Sequence, residues 1–251
     1  MIKFFRKVRQ QLLTENKFSK YLLYALGEIV LVVVGILIAL QINNWNTDRK
    51  NEALTRSYYV QILEDLEKEK VLMTQANQQI DSFFIRLKSY KEIFKEPNIS
   101  LWGANIGIGK VFSTEGNQGW NLETNTNTIY TLINTGDIKL IPTDIRNKIL
   151  DFRYKQAGLL DYAKSQSIII SNASLATEKI YGGADLPTRI ANQPKLVEYF
   201  NDEKIALQSL LQLEALLYEE ELLLKNAYAR SNNLIEDINE ITKVLNEELK
   251  K

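Results

Sequence analysis

The stretch "YLLYALGEIVLVVVGILIALQINNW", Tyr21 to Trp45, is apolar almost throughout and carries one carboxylate, Glu28. From Tyr21 to Leu40 it offers about 20 residues, or about 30 Å as a helix, which matches the hydrocarbon core of a bilayer. Tyr21 and Tyr24 at one end, and Gln41, Asn43, Asn44 and Trp45 at the other, suit the two interfaces. The rival reading, a cleaved signal peptide, expects a shorter run and a small-x-small cleavage site, and neither is present. An uncleaved transmembrane helix over 21–45 is therefore expected, with the lipid bilayer as its first partner.

Flanking charge gives the expected orientation. Lys3, Arg6, Lys7, Arg9, Lys17 and Lys20 precede the span, whereas only Arg49, Lys50 and the more remote Arg56 follow it. Basic flanks stay in the cytoplasm, so the N-terminus is expected inside and residues 46–251 outside. In a bacterium this predicts the inner membrane and the periplasm. Residues 1–20 form a basic tail in which Phe5, Val8 and Leu12 share a helical face, so the tail reads as an amphipathic surface helix or an ordinary basic flank.

An acid near the centre of such a helix costs about 2.5–3.5 kcal/mol, less toward the surface. Helical spacing puts Glu28 on one stripe with Tyr24, Leu31, Gly35, Ala39 and Ile42. Gly35 and Ala39 form a small-xxx-small pair that lets helices approach closely. Glu28, Gly35 and Ala39 are thus candidate helix-packing residues in a homo-oligomer or with an envelope partner. Alternatives are a proton-binding Glu28 in an ion-coupled complex, and an acid that is merely tolerated.

The composition excludes much chemistry. Lys+Arg and Asp+Glu are equal at 31 each, so no global field draws the chain to nucleic acid. There is no cysteine and no histidine. Disulfides, Ser–His–Asp triads, Cys–His pairs and zinc sites built on those residues are ruled out. No catalytic residue, cofactor or metal is expected.

Beyond the span, apolar residues step as a helix from Leu54 through Tyr58, Ile62, Leu66 and Met73 to Phe94, alternating three and four from Met73 onward. A second pattern runs from Ile145 to Ile180, and a third from Val197 to Leu249. A short helix over about 125–134 is expected to stop at Gly136 in a C′ position. The predicted fold is all-α: a transmembrane helix continuing into an elongated antiparallel bundle of three long helices and one short one. Its seams are expected to face one another within the chain.

The stretch "PNISLWGANIGIGKVFSTEGNQGWNLE", Pro97 to Glu123, reads as a loop, with room for a hairpin around Ile106, Ile108 and Val111. Its Trp102 and Trp120 are candidate recognition residues, or alternatively plug the end of the bundle. Within it "GANIGIGKV" imitates a phosphate loop but has Ala104 where a glycine is needed and Val111 after Lys110, so no nucleotide is expected. The acidic clusters Glu64, Glu67, Glu69 and Glu219, Glu220, Glu221 read as solvated helix faces, because di-metal bundles need Glu-x-x-His.

Two stretches carry a resemblance. "MIKFFRKVRQQLLTENKFSKYLLYALGEIVLVVVGILIALQINNWN" (Met1 to Asn46) and "TIYTLINTGDIKLIPTDIRNKILDFRY" (Thr128 to Tyr154) are similar to a family of uncharacterised single-pass membrane proteins of Bacteroidota, many from flavobacteria. The resemblance implies topology and cellular context and brings no catalytic residue. The expected function is a membrane-anchored interaction or assembly protein. The alternative is an accessory subunit of an ion-coupled envelope complex, and a periplasmic sensor bundle is a third reading.

Overall fold

The computed structural model describes residues 18–112, 124–181, 189–200 and 202–251, and among them every regular element is helical. Helix α1 (Phe18–Ile93) is followed by α2 (Leu101–Phe112), α3 (Asn127–Thr135), a 3₁₀ turn (Asp137–Leu140), α4 (Thr143–Tyr181), α5 (Pro194–Phe200) and α6 (Glu203–Leu249). The chain divides into two compact units, Met1–Ser57 and Tyr58–Lys251.

In the first unit, the large aliphatic side chains of α1 from Leu22 to Ile42 are exposed, Leu23 at 78 % and Ile29 at 63 %. This helix, near the N-terminus, is long and apolar enough to cross a membrane, and none of its most apolar window is buried. Arg49 lies over the Trp45 ring at 5.4 Å, a cation–π contact at the end of the apolar run.

The second unit is organised by α1, α4 and α6. Its buried seam on α1 steps by three and four through Tyr59, Ile62, Leu66, Glu69, Met73, Ala76, Ile80, Phe83, Leu87 and Tyr90, with Asp65 and Asn77 buried beside it. Polar pairs fix the helix directions. Lys70 Nζ donates to Asn239 (2.8 Å), Asn77 Nδ2 to Asn232 (2.9 Å), and the Tyr90 hydroxyl to Glu214, so α6 runs opposite to α1. Lys148 pairs with Glu240, Lys155 with Asp237 (2.9 Å), and Arg230 stacks on Tyr162 (4.8 Å), so α6 also runs opposite to α4.

Three details depart from the sequence expectations. Residues 101–112 form α2, neither loop nor hairpin. Gly107 explains why this glycine-rich segment can pack as a helix: an added Cβ would sit 2.8 Å from Ile93 Cδ1 and 3.0 Å from Tyr90 Cδ2. The third apolar pattern is interrupted, with Val197 and Phe200 on the separate α5. Asp202 then starts α6 as its N-cap, accepting from the Lys204 N–H at 2.7 Å. Leu207 is 45 % exposed, and Ala206 takes the buried place beside it. Gly136 ends α3 at φ 78°, as its position after the apolar run predicts, with its N–H donating to Ile133 O at 3.3 Å.

Candidate functional site

The residues singled out in the apolar helix share one face by helical period, at separations of seven and four. Glu28 is half-buried, and Gly35 and Ala39 are exposed. A Cβ added at Gly35 would meet nothing within 4 Å. Packing inside the chain therefore does not require a glycine here, although an interior helical glycine costs about 1 kcal/mol relative to alanine. Trp102 lies on α2 near its start. Trp120 falls outside the described residues.

A polar cluster that sequence reasoning missed lies inside the second unit. Glu69 is fully buried and Asp65 is 8 % exposed, whereas their neighbours Glu64 and Glu67 face solvent. The reading of Glu69 as part of a solvated face is thus corrected. The signal was present: the buried series steps from Leu66 to Met73, and Glu69 occupies the seam position between them.

The cluster's geometry has a clear local purpose. Thr126, the N-cap residue of α3, makes no side-chain cap bond. Instead Asp65 Oδ2 accepts from the Thr128 N–H at 2.7 Å, and Glu69 Oε2 accepts from the Asn125 N–H at 2.6 Å. Two carboxylates on α1 thereby satisfy amides at and just before the start of α3, and their charge opposes the positive end of its dipole. Gln156 of α4 closes the network. Its Nε2 donates to Glu69 Oε1 at 2.5 Å, and its Oε1 accepts from Arg153 Nη1 (2.7 Å) and Thr126 Oγ1 (3.2 Å). Burial pushes the Glu69 carboxyl above the usual carboxylate range, while the Asn125 and Gln156 donors and the Arg153 charge pull it back.

A second acid departs from the solvated-face expectation. Glu220 is half-buried on α6, and its burial pushes the carboxyl up to about 6 against the pull of Arg86. Arg86 is itself fixed, its Nε donating to Val111 O at 3.1 Å and so capping the C-terminal end of α2. The adjacent Glu221 behaves oppositely. Hydrogen bonds from Lys225 (2.7 Å) and Lys91 (2.9 Å) hold it below the usual range.

Between α4 and α6 runs an open groove lined by Tyr154, Lys155, Gly158, Asp161, Arg230 and Asp237. Its cations are engaged: Lys155 bridges Asp151 (2.8 Å) and Asp237 (2.9 Å), and Arg230 lies on Tyr162. These contacts join helices. Among the described residues, no three His, Cys, Asp or Glu side chains converge as a metal-ligand set.

Residues 28–149 match a family of unknown function (DUF6090). The matched range takes in α1 from Glu28 onward, α2, α3 and the start of α4, and includes Glu28, Gly35, Ala39, Asp65 and Glu69. No curated protein and no solved structure matches the chain.

Proposed function

We propose that this chain is a non-enzymatic interaction and assembly protein, anchored in a bacterial inner membrane by its N-terminal helix. The N-terminus is cytoplasmic, and the unit from Tyr58 onward works in the periplasm as an antiparallel helical bundle. The observation that carries this reading is the apolar stretch of α1, which is exposed around its circumference. That much apolar surface is stable only in lipid or against other helices. Gly35, with open space where a side chain would stand, favours a second helix at that face. The positive flank before the span supports the orientation. The polar clusters in the second unit cap and join helices, which suits a scaffold for association.

The test is disulfide-free chemical crosslinking of the full chain in native membranes. Gly35→Leu holds two backbones apart and is expected to abolish crosslinked oligomers. Glu28→Gln keeps the hydrogen bonding of a protonated acid and is expected to leave them intact. Intact oligomers in Gly35→Leu would overturn packing at this face. Normal assembly in Glu28→Gln together with loss of the cellular phenotype would favour the ion-coupled alternative, in which Glu28 binds a proton.

A further inference from the structure

The core of the second unit is two cores. One gathers Ile62, Leu66 and Met73 of α1, Ile149 and Phe152 of α4, and Leu234 to Leu245 of α6, under the cover of α3. The other gathers Ile80, Phe83 and Leu87 of α1 with Leu213 to Ala227 of α6, under the cover of α2. They share no buried residue. The two thus use different stretches of the same two long helices and different short helices as lids.

What separates them is a layer of small and polar side chains. On α1 it holds Ala76 and Asn77, and on α6 Ser231 and Asn232. Asn77 Nδ2 donates to Asn232, but Asn77 Oδ1 and Ser231 Oγ are buried without a protein hydrogen-bond partner. Unpaired buried polar atoms cost stability. On α4 the fully buried run ends at the same level: Leu159 belongs to the first core, and Tyr162 only edges the second.

We infer that the Asn77–Ser231–Asn232 layer is a built-in uncoupling point, so that the half covered by α2 opens as its own cooperative unit while the half covered by α3 stays folded. The break in buried apolar contact and two orphaned polar atoms, Asn77 Oδ1 and Ser231 Oγ, fall in this one layer. Cooperative units of this kind follow breaks in buried apolar contact. The core of the α3 half is also the more completely buried, nearly all of it at 0–2 % exposure, whereas residues of the other reach 8 %.

Native-state amide exchange of the full chain in detergent micelles, over a range of low urea, tests this. The amides of 80–93 and 213–227 are expected to exchange together, at least about tenfold faster than those of 62–73 and 234–245, and with a smaller urea dependence. In Asn77→Leu/Asn232→Leu, which replaces both partners of the polar pair by apolar groups, the two sets are expected to converge to within about threefold. A single shared rate and urea slope in the parent would overturn the inference. So would two separate classes that persist unchanged in the double variant, since the layer would then not be their cause. Should the double variant fail to fold, the parent's urea slopes decide alone.

Discussion

Asp65 and Glu69 do for α3 what its own N-cap residue does not, accepting hydrogen bonds from amides that the helix leaves unpaired. At this scale an acid's environment decides its role more than its identity does. Glu69, Glu220 and Glu221 all read alike in the sequence. Two are pushed up by burial and one is held down by lysines. Glu220 gives the sharpest test. Its carboxyl sits at about 6 in the fold against 4.5 as reference. A raised acid stabilises the fold relative to its charged form only while protonated. That contribution is complete below pH 4.5 and is lost as pH rises through about 6. The difference corresponds to at most about 2 kcal/mol. Glu220→Gln is therefore expected to match the parent near pH 4 and to exceed its stability by about 1–2 kcal/mol at pH 7, as read from urea unfolding across that range. An equal gain at both pH values would exclude charge burial as the cause.

Among elements, α2 departs furthest from its sequence reading. Its glycines imitate a phosphate loop, yet they differ in what they do. Gly107 lets the helix approach Tyr90 and Ile93 of α1, and Tyr90 is buried with its hydroxyl bound to Glu214. Gly109 has open space where a Cβ would stand. Gly107→Ala is expected to destabilise the full chain by about 1–3 kcal/mol, because the held Tyr90 ring cannot move aside without disturbing its core. Gly109→Ala is expected to be neutral or to stabilise by up to about 1 kcal/mol through helix propensity. Thermal unfolding followed by circular dichroism distinguishes the two. If both variants melted alike, close approach at Gly107 would not be what docks α2.

At the scale of the whole molecule, the charge flanking the apolar run predicts on which side of the membrane the second unit works. A reporter that is active only in the periplasm, fused after Lys251, is expected to be active, and a cytoplasm-dependent reporter at the same place silent. The opposite pair of results would reverse the proposed topology. This outcome is independent of how the interior is packed, because orientation responds to the flanks of the span.

The sequence by itself determined that the chain is helical, that its first helix suits a membrane, and where most of the buried seams lie. Each of these is a local property: a run of apolar residues, or a step of three and four, is complete within one helix. It also put Glu28, Gly35 and Ala39 on one stripe, since a stripe needs only helical period. Only the tertiary structure decided which acids are interior. Glu69 is tolerable inside because donors arrive from Asn125 and Gln156, which lie 56 and 87 residues away. The same holds for Gly107, whose meaning depends on Tyr90 across the interface, and for the Asn77–Ser231–Asn232 layer. Its separation of two cores exists only once α1 and α6 are set side by side. Burial of a polar group is settled by the partners that reach it, and those partners are brought together by the fold.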